Sequence, residues 1–105
     1  MIGLIKNMLG MENTQLTEAV KQGAFLIDVR TPAEFAGGSA SGAVNIPLDR
    51  IGSQLSKFKK KSKIVVFCKS GMRSMQAKNI LEQNGIINVI NGGTVNDIIK
   101  IQNAK

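Results

Sequence analysis

The chain has 105 residues, a hydrophobic content of 43% and a formal charge of +7 from fourteen basic and seven acidic residues. This length supports one domain with a substantial core, and the composition excludes a disordered chain. The single cysteine and the absence of histidine exclude an internal disulfide, a multi-cysteine zinc site and any catalytic pair or metal site that uses imidazole.

The first eleven residues form an apolar stretch that glycines and a lysine interrupt. The stretch is too short for a transmembrane helix and lacks the basic start and cleavage site of a signal peptide. We predict a short N-terminal extension over residues 1–12, packed on a domain over residues 13–105, with peripheral membrane contact as the weaker alternative. Because a lone cysteine suits a reducing compartment, we expect a cytoplasmic protein without a membrane span.

Helix and strand signals alternate along the first half of the domain. Residues 13–23 predict a short helix, and the apolar run 24–29 is typical of a buried strand. The segment Thr31–Glu34 is a capping box with proline at the first helical position, which predicts a second short helix. Residues 43–47 predict a brief strand that ends at a proline.

The alternation continues in the second half. Apolar side chains at spacings of four and three (Ile51, Leu55 and Phe58) predict a helix that Asp49 caps. The remaining predicted elements are a strand over 64–67, a helix over 74–84, a strand over 86–90, a turn over 91–93 and a helix over 94–101. Such alternation indicates an α/β domain with a mainly parallel sheet.

A cluster of five lysines precedes the third predicted strand, at Lys57, Lys59, Lys60, Lys61 and Lys63. We interpret it as a solvated surface, and attraction of small anions or of an acidic protein partner is the sharper alternative. The chain has no tyrosine or tryptophan to stack on bases, so we expect no nucleic-acid partner.

Cys68 follows the strand over 64–67 and precedes a loop of small, polar and cationic residues and then a helix. In parallel sheets, reactive groups lie at the carboxyl ends of strands. Loop amides can converge there, and the helix N-terminus adds positive charge, so a thiol at this point ionises readily. A lone cysteine with apolar neighbours is more often a core residue, but this loop makes Cys68 the candidate nucleophile.

Three motifs resemble those of single-domain rhodaneses, in the same order: Asp28–Phe35, Gly42–Pro47 and Cys68–Ser74. The double glycine at 92–93 continues the pattern, so the resemblance covers roughly residues 14–100. It implies a rhodanese-like α/β domain with a five-stranded, mainly parallel sheet and helices on both faces. It also implies a sulfurtransferase, whose cysteine takes a sulfane sulfur from a donor such as thiosulfate and passes it to cyanide or an acceptor thiol.

The resemblance assigns the persulfide to Cys68. It implies an active-site loop that binds the substrate through Lys69, Ser70, Gly71, Met72 and Arg73. Lys69 and Arg73 supply its cations, and Met72 is a candidate apolar rim that limits substrate size. Supporting candidates are Asp28, Arg30 and Ser74, and for the first two a strand-end salt bridge is the favoured role. No metal, nucleotide or flavin motif is visible, so we expect no cofactor.

Three alternatives remain open beside this interpretation. Phosphatases on the same fold have a loop one residue longer than the four residues between Cys68 and Arg73, and the shorter loop favours sulfur chemistry. A non-catalytic binding module is disfavoured because the cysteine is present. A sulfur carrier for a protein partner stays open, and we expect a monomer. Many relatives have histidine in place of Ser39 and a tryptophan soon after the double glycine, differences that leave the Cys68 loop intact.

Overall fold

The computed structural model describes residues 14–104, so the expected extension over residues 1–12 lies outside the described residues. The helices and strands are, in chain order, α1 (residues 14–21), β1 (Phe25–Asp28), α2 (Pro32–Ala36), β2 (Val44–Asn45), two 3-10 helices (Leu48–Ser53 and Leu55–Lys57), β3 (Ile64–Cys68), α3 (Met72–Gln83), β4 (Val89–Thr94) and α4 (Val95–Asn103).

The strands form one parallel sheet in the order β2-β1-β3-β4. The predicted α/β class with a parallel sheet is therefore confirmed. Residues 14–104 contain four strands and not five. The residue patterns themselves indicate four strands, and the fifth was implied only by the resemblance, so the count of five is corrected for this part of the chain.

Two clusters of buried apolar side chains cover the two faces of the sheet. One cluster packs α3 and the 3-10 helices against the sheet through Ile51, Phe58 and Leu81. The other packs α1 and α4 on the opposite face, through Leu16 and Ile98. All five residues of β3 are buried, which explains the continuous apolar run before the cysteine. Helices on both faces are thus confirmed.

The segment after β2 forms two short 3-10 helices instead of the single α-helix predicted there. Gln54 has φ −126° and lies outside helical geometry, so the helix is broken between its two apolar turns. Gly52, a weak helix former, lies just before the break. Asp49 makes no capping hydrogen bond, because Pro47 occupies the N-cap position. Ile51 and Phe58 nevertheless reach the core.

The predicted turn over residues 91–93 is wrong, because these residues lie inside β4 as a bulge. Val66 pairs with Asn91 and the next residue, Phe67, pairs with Gly93, so Gly92 has no partner. A Cβ on Gly92 would lie 2.7 Å from a methyl carbon of Val65, and Gly93 has φ +79°. Both positions therefore need glycine, and the same pair of glycines that suggests a turn in sequence here permits a bulge.

The carboxyl ends of β1, β3 and β4 meet at one edge of the sheet. Asp28 pairs with Phe67, and Cys68 pairs with Thr94. Directly beyond this edge α2, α3 and α4 begin, with Thr31, Gly71 and Thr94 as their N-caps. The fold therefore gathers three helix N-termini around the cysteine that ends the central strand.

Candidate active site

Cys68 is the last residue of β3, and none of its surface is exposed to solvent. The chain then turns back through Gly71, whose φ of +95° is the left-handed conformation that glycine adopts without strain. This turn brings the Gly71 N–H to 2.9 Å from the Cys68 sulfur, to which it donates a hydrogen bond. The helix α3 starts at the next residue, so its N-terminus lies against the sulfur as well.

The pKa of the Cys68 thiol is lowered from its usual value, although burial acts to raise it. The lowering comes from the Ser74 hydroxyl, whose oxygen lies 3.6 Å from the sulfur, and from the backbone N–H groups of Ser74, Gly71 and Ser70. These donors stabilise the negative sulfur without any general base. The arrangement therefore favours the thiolate, the nucleophilic form of cysteine.

Replacing Ser74 by alanine should raise the pKa of Cys68, because the thiolate loses its side-chain donor. At a pH below the midpoint, the rate of alkylation by iodoacetamide should fall roughly three- to tenfold, the scale of one hydrogen bond. The titration can be followed by thiolate ultraviolet absorbance, which suits a chain without tyrosine or tryptophan. An unchanged midpoint in the folded variant would show that the backbone amides act alone.

Arg73 forms a bidentate ion pair with Glu34 of α2, at 2.7 Å and 3.1 Å. The guanidinium of Arg73 and the backbone N–H of Thr31 lower the pKa of Glu34 to about 2. Because the folded pKa is depressed, the pair stabilises the fold above the unfolded carboxyl pKa of about 4.3, and this contribution is lost as the pH falls further. Glu34 also completes the capping box of α2, so one carboxylate ties α2 to the helix that follows the cysteine.

Asp28 and Arg30 form a largely buried ion pair at the end of β1. The Asp28 carboxylate accepts hydrogen bonds from Arg30 Nη2 at 2.7 Å and Nε at 3.0 Å, and none of Asp28 is exposed. Ser39 Oγ donates to the same carboxylate at 2.7 Å, and Arg30 also donates to the Gly38 carbonyl. Ser39 therefore fixes the loop that precedes β2 to the end of β1.

The other residues of the predicted loop lie at the surface. Lys69 is exposed and lines a groove of about 490 Å³ with Arg30, Ser39 and Thr94. It forms no ion pair within the part of the chain that the structure describes, whereas Arg73 is neutralised by Glu34. Met72 is 72% exposed, and Ser70 is also exposed.

Two residues at this edge of the sheet, Glu34 and Asn91, belong to the site although the sequence analysis does not predict them as site residues. The sequence predicts only a helix-capping role for Glu34, although the first turn of α2 must lie at the carboxyl edge of a parallel sheet, near the loop. That rule could have suggested an ion pair with a loop cation. Asn91 was assigned to a turn, and no pattern in the sequence indicates that a bulge directs its side chain towards Ser74.

The sequence profile of the rhodanese-like domain family matches residues 12–96. The chain belongs to this family. A sulfurtransferase of Allochromatium vinosum is 35% identical to this rhodanese-like domain over 91 residues, which are 85% of each chain. The thiosulfate sulfurtransferase PspE of Escherichia coli is 36% identical over 74 residues, 69% of this chain and 71% of its own.

Solved structures agree with this assignment. The human single-domain sulfurtransferase TSTD1 superposes on the rhodanese-like domain with a TM-score of 0.69 and 27% identity, over 88% of this chain and 94% of that one. The family and the names of these relatives support a sulfurtransferase role. Among residues 14–104, none of the helices has the length and apolar character that a membrane span requires.

Proposed function

We propose that this rhodanese-like domain moves sulfane sulfur through a persulfide on Cys68. The observation that carries the proposal is the set of polar groups around the buried sulfur: the Gly71 N–H, which donates to it at 2.9 Å, the Ser74 hydroxyl oxygen 3.6 Å away, and the start of α3. A thiolate stabilised in this way can attack a sulfur atom directly, and the same donors suit the persulfide anion that results.

The proposed reaction has two displacement steps. In the first, the Cys68 thiolate attacks the outer sulfur of thiosulfate, a new S–S bond forms, and the S–S bond of thiosulfate breaks as sulfite leaves with the electron pair. In the second, cyanide or an acceptor thiolate attacks the outer sulfur of the persulfide. Thiocyanate or an acceptor persulfide leaves, and the electron pair returns to Cys68 as thiolate.

We assign the attraction of the anionic donor mainly to Lys69. Arg73 is paired with Glu34, so its charge is largely compensated and its main contribution is to position α3. Lys69 has no such partner in residues 14–104 and lines the groove beside the loop. Thiosulfate is the proposed donor because it is small and anionic and because relatives such as PspE are named thiosulfate sulfurtransferases.

The enclosed sulfur also argues against the phosphatase alternative. Cys68 has no exposed surface, which favours a reagent with a narrow terminal atom, such as the outer sulfur of thiosulfate, over a bulky one. A tetrahedral phosphoryl group needs a wider cradle and cations free to bind its oxygens. We therefore expect no phosphate release that depends on Cys68.

A protein acceptor is the second candidate, in which the domain is a sulfur carrier. Met72 and Met75 are 72% and 57% exposed, and both lie in the first turn of α3 beside the loop. Flexible methionines at a surface suit contact with a partner protein, and a charge of +7 favours an acidic one. On this alternative, small thiols and cyanide are substitutes for the physiological acceptor.

Steady-state kinetics test the proposal. Initial rates of thiocyanate formation, measured over a grid of thiosulfate and cyanide concentrations, should give the parallel double-reciprocal lines of a ping-pong mechanism. Replacing Lys69 by alanine should raise the KM for thiosulfate. The control Lys59→Ala removes an exposed lysine that precedes the start of β3, whereas Lys69 follows its end, and it should leave this KM unchanged. Intersecting lines, or no thiocyanate from any sulfane donor, would contradict a persulfide intermediate.

A further inference from the structure

Asn91 is linked to the candidate nucleophile through shared hydrogen-bond partners and makes no hydrogen bond to Cys68 itself. Its Oδ1 lies 2.7 Å from the Ser74 hydroxyl oxygen and accepts the Gly93 N–H at 3.0 Å, while its Nδ2 donates to the Gly71 carbonyl at 3.4 Å. The bulge at Gly92 makes this possible, because it shifts the register of β4 just where Asn91 faces the loop. One amide therefore contacts both residues that hold the Cys68 sulfur.

The orientation of the Asn91 amide is determined by its neighbours. The Gly93 N–H can only donate, so it requires the oxygen of the amide on its side and places Nδ2 towards the Gly71 carbonyl. The Ser74 hydroxyl consequently faces an acceptor. The other acceptor within reach of the Ser74 hydroxyl is the Gly71 carbonyl at 3.0 Å. This carbonyl already accepts hydrogen bonds from the Met75 N–H and from Asn91 Nδ2.

The Ser74 hydroxyl has only one proton to donate. When Cys68 is a neutral thiol, its S–H can donate to Ser74 Oγ while the hydroxyl proton goes to Asn91 Oδ1. When Cys68 has released its proton to solvent, the hydroxyl can instead turn towards the negative sulfur at 3.6 Å. Asn91 Oδ1 and the Gly71 carbonyl therefore compete with the Cys68 thiolate for the same proton.

We propose that Asn91 is a positioning residue that sets the reactivity of Cys68 by competing for the Ser74 hydroxyl. A weaker acceptor at position 91 releases the hydroxyl to the thiolate, and a stronger acceptor withholds it. The inference deepens the proposed function but does not depend on the sulfur donor or acceptor, because it concerns the thiolate alone.

The charged groups on the elements around Asn91 and Cys68 are the same in the wild-type protein and in every variant at position 91. They are the Arg73–Glu34 pair of α3 and α2, the Asp28–Arg30 pair at the end of β1, Lys69 in the loop, the Lys78–Glu82 pair of α3, and Asp97 and Lys100 of α4. None of them is altered by a change at position 91 itself. A shift between variants therefore reports on the local hydrogen bonds and on any charge that is introduced.

The test is the pH profile of the single thiol in two opposite variants. Asn91→Leu cannot accept a hydrogen bond, so the thiolate absorbance midpoint should fall, and alkylation below the midpoint should be roughly three- to tenfold faster, the scale of one hydrogen bond. Asn91→Asp is a stronger acceptor and adds negative charge, so its midpoint should rise and alkylation should slow by at least the same factor. A merely structural role would move both variants in the same direction.

Two controls separate competition from general disturbance. In a Ser74→Ala background, Asn91→Leu should have no further effect, because the contested proton is absent. Asn79→Asp introduces the same charge at an exposed position of α3 and should leave the midpoint unchanged. Shifts in the same direction for both variants, or a leucine effect that survives the loss of Ser74, would overturn the proposal. If Asn91→Leu does not fold, an unchanged or lower midpoint in Asn91→Asp overturns it.

Discussion

Cys68→Ser should lower the rate of thiocyanate formation from thiosulfate and cyanide by roughly a thousandfold or more, the scale on which an enzyme loses activity without its nucleophile. The serine hydroxyl remains protonated at neutral pH, because the donors around position 68 cannot offset its much weaker acidity. The chain has no second cysteine and no histidine that could replace the lost nucleophile.

Initial rates under saturating thiosulfate measure this effect. The substitution changes one atom inside a packed site, so urea unfolding should show that the variant retains its fold. Residual activity of a tenth or more in a folded Cys68→Ser protein would mean that another group carries the sulfur, and the persulfide mechanism would then be contradicted.

Asp28→Ala should lower the free energy of unfolding by about 3–5 kcal/mol, the range measured when one partner of a buried ion pair is removed. The Asp28 carboxylate is fully buried and accepts hydrogen bonds from Arg30 and Ser39. Without it, the guanidinium of Arg30, whose side chain is 11% exposed, keeps the Gly38 carbonyl but loses its counter-charge. The hydrogen bonds through which Asp28 joins the end of β1 to the loop before β2 are then lost.

Urea unfolding at neutral pH measures this change in a domain of two-state size. The matched control is Asp49→Ala, which removes an exposed carboxylate and should change stability by less than about 0.5 kcal/mol. If Asp28→Ala lowered the free energy of unfolding no more than the control does, the Asp28–Arg30 ion pair would not stabilise this edge of the sheet, and the proposed role of Asp28 would be wrong.

The sequence determined the fold class and the position of the candidate nucleophile for identifiable reasons. The residues of β3 are apolar because both faces of the strand are covered. In the sequence, this apolar run stops at Cys68. The capping box of Thr31 and Glu34 is a local feature, and the structure contains it as expected. Signals of this kind depend on neighbours within four residues, so sequence reasoning recovers them.

Features that depend on distant partners were not recovered. The pairing of Arg73 with Glu34 joins residues 39 positions apart, and it changes which loop cation is available to an anion. The contact between Asn91 and Ser74 depends on a bulge whose two glycines equally suit a turn. In both cases the residue types were visible, but the tertiary contact that gives them a role was not.

The most direct test of the account is the intact mass of the protein after incubation with thiosulfate and removal of excess reagent. The account predicts that the wild-type chain gains the mass of one sulfur atom, that cyanide removes it, and that Cys68→Ser gains nothing. A gain on both proteins, or on neither with any sulfane donor, would contradict the claim that Cys68 carries the transferred sulfur.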